Sequence, residues 1–103
     1  MKKILLACNA GMSTSMLVQK MRKAADSLGV EVEINAVSIT QATDKIADVD
    51  IVLLGPQVKF QKAAVEKVAA GKTPVELIDM RDYGTMNGEK VLKFALDKIA
   101  AEG

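Results

Sequence analysis

Two short, uninterrupted apolar runs, residues 4–7 and 51–54, constrain the fold of this chain more than any other feature. A run of four apolar residues with no polar face is typical of a strand that is buried on both sides, as in a parallel sheet covered by helices. Since each run is followed by a turn and then by helical periodicity, we expect two neighbouring central strands.

Two further segments have the pattern of strands at the edges of the same sheet. Residues 30–37 alternate apolar and polar side chains, which indicates a half-exposed strand. Pro74 precedes the run 75–78, and proline at a strand entrance is tolerated best at a sheet edge. Strands alternate with helices, so the connections are right-handed crossovers between parallel strands. The prediction is an α/β fold, a four-stranded parallel sheet in the order 2-1-3-4 with helices on both faces.

Four segments with helical periodicity complete this pattern. They begin near Met16, at Ser38, near Phe60, and at Asn87 or Gly88. The second opens with a capping box, and the first ends at a glycine suited to a left-handed cap. In the third, these positions are predicted to pack against the sheet: Phe60, Ala64, Val65, Val68 and Ala69. Residues 79–84 are predicted to form a solvated loop.

Composition excludes several classes of function. The 103 residues are expected to form one domain, 1–103. Fourteen basic and thirteen acidic residues are interspersed, which argues against a nucleic-acid partner. No apolar stretch approaches the roughly 20 residues that cross a bilayer, so we expect no membrane insertion. A single cysteine suits a reducing compartment, and a cytoplasmic location is expected. Without histidine, neither a Cys/His zinc site nor a Cys–His catalytic pair can form.

The only cysteine begins a polar loop between the first strand and the first helix. The loop consists of Cys8, Asn9, Ala10, Gly11, Met12, Ser13, Thr14 and Ser15. A loop that leads from a strand into a helix presents backbone N–H groups and the positive end of the helix dipole, which together bind anions. Amides and up to three hydroxyls would satisfy phosphate oxygens without a metal or other cofactor. Cys8, as a thiolate, would be placed to attack the phosphorus atom.

The predicted strand order places this loop at a switch point. The direction of winding reverses between the first and third strands, and ligands bind there, outside the carboxyl ends of the strands. The loops at that point are residues 8–15 and 55–60. A structural interpretation stays open for each: Cys8 as a small buried apolar residue, the hydroxyls as helix N-caps, and residues 55–57 as an ordinary turn.

These motifs resemble a known family. An apolar strand leads into the Cys8 loop, Leu53 and Leu54 precede Gly55-Pro56-Gln57, and Ile78-Asp79 is followed by Tyr83-Gly84. Together they resemble the enzyme IIB component of the lactose/cellobiose class of the bacterial phosphoenolpyruvate-dependent sugar phosphotransferase system. The resemblance runs essentially from end to end and is most specific in the cysteine loop.

The resemblance implies a phosphoryl carrier and a phosphotransferase. The thiol of Cys8 would accept phosphate from a phosphohistidine of the IIA phosphocarrier protein and pass it to a sugar held by the membrane IIC transporter. The loop from Asn9 to Ser15 would bind the phosphoryl group. Apart from the resemblance, position along the chain suggests further residues that would line the site or dock a partner: Met16, Gly55, Pro56, Gln57 and Tyr83.

Two alternatives belong to other classes of protein. Low-molecular-weight tyrosine phosphatases resemble this chain too, but their loop ends in an arginine six residues after the cysteine, where this chain has Thr14. The cation that would bind phosphate in the transition state is therefore absent, and Asp82 is the sole plausible general acid. A flavodoxin-like binding module would also use a hydroxyl-rich first loop, but three aromatic residues are few to sandwich a flavin.

Overall fold

The computed structural model describes residues 1–8 and 12–102, with side chains at all of these except 12–14, 57 and 102. The strands are β1 (Lys2–Cys8), β2 (Val32–Ser38), β3 (Ile51–Leu54) and β4 (Val75–Leu77). The α-helices are α1 (Met12–Leu28), α2 (Ile39–Lys45), α3 (Lys62–Ala69), α4 (Met80–Gly84) and α5 (Gly88–Glu102). Two 3-10 helices are also present, Ile46–Asp48 and Pro56–Gln61; the latter is called the Pro56 segment below.

The four strands form one parallel sheet in the order β2-β1-β3-β4, which confirms the predicted topology. Ile4 of β1 pairs with Ile34 on one side and with Ile51 on the other. Every residue of β3 is buried, and so is β1 from Ile4 to its end. The two uninterrupted apolar runs are therefore the central strands, because only there do both faces of a strand lie under helices.

The alternation of side chains along β1 divides the core into two layers. Ile4 and Leu6 lie in a cluster with buried residues of α1 and α5, such as Leu17 and Leu92. Leu5 and Ala7 lie in the opposite cluster, which contains buried residues of α2 and α3. This is the expected result of the two-residue period of a strand. None of the described helices is long and apolar enough to cross a membrane.

Two helix ends predicted from the sequence are confirmed. Gln41 donates its backbone N–H to Ser38 Oγ at 3.3 Å, and Gln41 Oε1 accepts the Ser38 N–H at 3.4 Å, completing the capping box. After α1, Gly29 has a φ of 70°, the left-handed conformation that favours glycine. The first helix begins at Met12, four residues before the predicted start.

The packing predicted for the third helix is wrong in part. Val65 and Ala69 are buried, but Phe60, Ala64 and Val68 are exposed. Phe60 lies in the Pro56 segment, a 3-10 helix, and Gln61 (φ −95°, ψ 0°) separates it from α3 as the N-cap. A 3.6-residue period counted from Phe60 therefore does not continue into α3, which packs in the core through Val65 and Ala69.

The predicted loop at residues 79–84 is instead the short helix α4 with an N-cap. The Oδ2 atom of Asp79 accepts the backbone N–H groups of Arg81 and Asp82 at 3.0 and 3.2 Å. Asp79 thereby satisfies two of the amides that a helix start leaves unpaired. The prediction failed because this helix has only five residues, too few for a periodic pattern.

Candidate functional site

Cys8 is the last residue of β1 and lies at the carboxyl edge of the sheet. Its side chain is buried, with 3% of its surface exposed. Across the ladder it pairs with Ser38, the N-cap of α2, and α1 begins four residues further on, at Met12. Two helices therefore begin beside the thiol, and their amino ends contribute partial positive charge at this edge.

Gly55 connects the second predicted loop to the cysteine strand. Its backbone N–H donates to the carbonyl oxygen of Ala7, the residue before Cys8, at 3.0 Å. Its own carbonyl oxygen accepts the N–H of Val58 at 3.1 Å, inside the Pro56 segment. The ends of β1 and β3 thus meet at the point where the winding of the sheet reverses, as the sequence predicts.

The start of α1 carries no charge that opposes an anion. The first turn of α1 contains no acidic residue, so no carboxylate there opposes a phosphoryl group at the helix start. Ser15, the last residue of the predicted phosphate loop, is exposed. Asn9, Ala10 and Gly11 lie outside the described residues, as do the side chains of Met12, Ser13, Thr14 and Gln57.

Comparison with known proteins identifies the family. The family model for the lactose/cellobiose-specific IIB subunit of the sugar phosphotransferase system (PTS) matches residues 3–94. The chain belongs to this PTS IIB family. Members of the family are phosphotransferases in sugar transport and work with IIA and membrane IIC components. The phosphatase alternative is not favoured.

Named relatives match over nearly their whole length. The oligo-beta-mannoside-specific EIIB component of Bacillus subtilis is 48% identical over 97 residues, which cover 93% of this chain and 94% of the relative. The galactose-specific EIIB component of Lactococcus lactis subsp. cremoris is 50% identical over 101 residues, which cover 91% of this chain and 93% of the relative. The cellobiose-specific EIIB component of Lactococcus lactis subsp. lactis gives the same values.

Solved structures support both the family and the fold. The cellobiose-specific IIB component of Borrelia burgdorferi is 44% identical and superposes with a TM-score of 0.81, covering 97% of this chain and 93% of that one. The lactose-specific IIB domain of Streptococcus pneumoniae superposes with a TM-score of 0.83 over 93% and 95%. At 20% identity, this second match shows the shared fold alone.

Two further residues singled out in the sequence lie in different environments. Met16, in the second turn of α1, is 57% exposed and lies on the surface, where it can contact a partner. Tyr83 is only 8% exposed and belongs to the core cluster that contains Ile78 and Val91. A direct role for the Tyr83 ring in the site remains a prediction.

A cleft beside the site was not predicted. It has a volume of about 420 Å³ and lies between the Pro56 segment, the end of β4, α4 and α5. Its walls are mainly apolar, with three charged residues among them, and are formed by Pro56, Lys59, Leu77, Ile78, Asp79, Met80, Asp82, Val91 and Phe94. The predicted strand order could have indicated this cleft: β3 and β4 are neighbours, so the residues that follow them lie together at one edge of the sheet.

Proposed function

We propose that Cys8 is the phosphoryl-accepting residue of a IIB carrier formed by residues 1–103. The main support is the position of this thiol, at the end of a central strand, beside the start of two helices and at the switch point of the sheet. Asn9, Ala10, Gly11, Met12, Ser13, Thr14 and Ser15 would hold the phosphoryl group through backbone N–H groups and hydroxyls.

The proposed reaction has two transfers. The Cys8 thiolate attacks the phosphorus of the phosphohistidine on IIA, so that an S–P bond forms, the N–P bond breaks and the imidazole retains the electron pair. In the second transfer, a hydroxyl oxygen of the sugar held by IIC attacks the same phosphorus. The S–P bond breaks, the thiolate is regenerated and the hydroxyl proton passes to a base outside this chain. The absence of histidine from this chain is consistent with its partners supplying these groups.

Partner docking is proposed at the surface that surrounds the thiol. Met16 contributes an exposed, adaptable thioether side chain. Gly55, Pro56 and Gln57 form the neighbouring rim, because the Pro56 segment starts directly beyond the Gly55 hydrogen bond to β1. Both IIA and IIC must reach the same thiol, so we propose that they use overlapping parts of this edge in succession.

The sugar is proposed to be selected by IIC. Relatives of 48% and 50% identity are named for oligo-beta-mannoside, galactose and cellobiose, although each matches almost the whole chain. A carrier that passes its phosphoryl group to a sugar held by a separate component has no need to enclose the sugar itself. Transfer from this protein to several sugars, each with its own IIC, would support this division of roles.

Mass spectrometry of the phosphorylated protein tests the proposal. The chain is incubated with phosphoenolpyruvate, the general phosphotransferase proteins and a IIA component, and the modified residue is mapped. We expect one labile phosphoryl group on Cys8, and since the chain has no histidine, phosphohistidine cannot account for the signal. Cys8→Ser and Cys8→Ala should lose the label while keeping the circular dichroism spectrum, with Ser27→Ala as a labelled control. Phosphoryl transfer to the sugar by either Cys8 variant would refute the assignment.

A further inference from the structure

Exposed apolar side chains occur along the outer side of the Pro56 segment and α3. Phe60 is 74% exposed and Val68 is 50% exposed, with exposed Ala63 and Ala64 between them. The opposite side of α3 packs in the core through Val65 and Ala69. We call this outer side the α3 face. A phenylalanine exposed to this degree, with smaller apolar residues after it, is suited to contact with another phase or molecule.

The same segment concentrates positive charge. Residues 59–72 contain four lysines and one glutamate, namely Lys59, Lys62, Lys67, Lys72 and Glu66. Their net charge is +3, whereas the whole chain has a net charge of +1, so the remainder of the chain is −2. Among the residues whose side chains are described, none of these lysines forms an ion pair within 4.0 Å. Their charges are therefore available to an anionic partner.

We propose that the α3 face adsorbs to the anionic headgroups of a phospholipid bilayer. Lysines that lie beside exposed apolar side chains are typical of elements in the membrane interface, where the lysine stems extend along the apolar surface and their ammonium groups reach the headgroups. Phe60 is the anchor at the acyl boundary. This adsorption is peripheral, and no segment enters the bilayer core.

The small apolar area favours lipid over a second protein as the occupant. A stable protein interface covers roughly 800 Å² on each partner and is centred on several large side chains. The α3 face offers one large side chain, Phe60, together with Val68 and two alanines. Adsorption to lipid needs only such an anchor and several basic residues, because each basic residue strengthens the attraction to anionic headgroups by about fivefold.

Adsorption in this way would orient the carrier. The Pro56 segment starts directly after Gly55, whose N–H is bonded to the strand that ends in Cys8. Phe60 thus lies close to the carboxyl edge of the sheet, while α1 and α5 cover the opposite face of the sheet from α3. An adsorbed molecule would keep the thiol edge near the bilayer, where the proposed acceptor, IIC, resides.

Vesicle sedimentation tests the role of the charge. The unphosphorylated protein is mixed at low ionic strength with vesicles of phosphatidylcholine containing a third phosphatidylglycerol, or of phosphatidylcholine alone. We expect binding to the anionic vesicles only. The triple variant Lys62→Gln, Lys67→Gln, Lys72→Gln should bind about a hundredfold more weakly. A control of equal net charge, Lys2→Gln, Lys23→Gln, Lys90→Gln, removes exposed lysines of β1, α1 and α5 and should bind as the parent does.

Fluorescence tests the role of Phe60 independently of charge. The chain has no tryptophan, so Phe60→Trp introduces a single reporter, and Leu28→Trp at the far end of α1 is the matched control at a position 44% exposed. We expect a blue shift and quenching by brominated phosphatidylglycerol for the first variant only.

Several outcomes would overturn the proposal: no sedimentation with anionic vesicles, an equal loss of binding in both triple variants, or equal quenching at positions 28 and 60. Loss of transfer from IIA in the lysine triple variant, without any vesicle binding by the parent, would assign the face to a protein instead. Neither assay requires phosphorylation, so failure here is distinct from failure of the Cys8 assignment.

Discussion

The backbone N–H of Gly55 donates to the carbonyl oxygen of Ala7 at 3.0 Å, at a position where Ala7 is fully buried. This hydrogen bond extends the β1–β3 ladder by one residue beyond the pair Ala7 and Leu54. It fixes the end of the cysteine strand against the start of the Pro56 segment. The position of Cys8 therefore depends on a donor from a segment far away in the sequence.

Gly55→Pro tests this dependence. Gly55 has φ −64° and ψ 153°, which proline can adopt, but proline removes the N–H and its Cδ atom takes the place of that hydrogen, against the Ala7 carbonyl oxygen. The Ala7 carbonyl would be left buried, unpaired and crowded by the ring, and we expect a loss of at least about 1 to 3 kcal/mol in the free energy of unfolding. Urea denaturation measures the loss. Gly55→Ala keeps the donor, so equal stability of the two variants would mean that the hydrogen bond contributes nothing measurable.

The same two variants, Gly55→Pro and Gly55→Ala, should differ in the rate of phosphoryl transfer. If the Gly55 donor holds the end of β1 in place, Gly55→Pro should accept phosphate from IIA more slowly than Gly55→Ala. Rapid-quench kinetics under conditions where both variants are folded checks this expectation. Equal rates would show that the loop keeps its geometry without the Gly55 hydrogen bond.

Gly88 marks a close approach of α5 to α1. A Cβ atom added at Gly88 would lie 2.5 Å from the backbone carbonyl carbon of Lys20, so the two helices must separate to admit it. We expect Gly88→Ala to destabilise the fold by about 1 to 3 kcal/mol, although alanine favours helix by about 1 kcal/mol. In Gly84→Ala the new methyl group meets no atom within 4 Å. Thermal unfolding should therefore show a lower midpoint for Gly88→Ala and an unchanged or higher one for Gly84→Ala.

Sequence patterns predicted the strand order because burial on both faces leaves a clear signal. The uninterrupted apolar runs of β1 and β3 are compatible only with central strands of the sheet. The start of α2 was likewise assigned from two residues, Ser38 and Gln41. Phe60 and Val68 could not be placed in the same way, because periodicity assumes a continuous α-helix. Phe60 instead lies in a 3-10 helix whose phase differs from that of α3, which begins after its N-cap, Gln61 (φ −95°, ψ 0°).

At the candidate site, too, some features were predictable from the sequence and others depend on tertiary packing. Cys8 and Gly55 were predicted to meet because both follow central strands, and strand order alone brings them together. The burial of Tyr83 was not predictable, since α4 is a five-residue helix whose direction depends on the Asp79 cap and on packing against α5. The cleft beside Pro56 was not predictable for the same reason, because residues of α4 form part of its wall.

Arg22 protects an edge of the sheet. Its Nη2 and Nε atoms donate to the carbonyl oxygen of Ile34, in edge strand β2, at 2.6 and 3.1 Å. Removal of this side chain exposes a strand edge that can pair with another molecule. We expect Arg22→Ala to lose about 1 kcal/mol of stability and to self-associate at high concentration. Sedimentation velocity measures the association, and Lys23→Ala, an exposed neighbour on α1, should remain like the parent.

Thr14→Arg tests why the proposed phosphothiol resists water. Thr14 occupies the position at which the phosphatase loop has its arginine, six residues after the cysteine. A guanidinium group there would stabilise the negative charge that develops in the transition state of hydrolysis. We therefore expect the phosphorylated variant to lose its label to water faster than the parent.

Removal of one such electrostatic donor typically costs about a hundredfold to a thousandfold in rate, which is the upper limit for the gain. Thr14→Lys supplies the charge without the bidentate geometry and should show a smaller increase. If all three proteins lose phosphate at one rate, the missing arginine is not what preserves the carrier, and exclusion of a general acid from the loop becomes the better explanation.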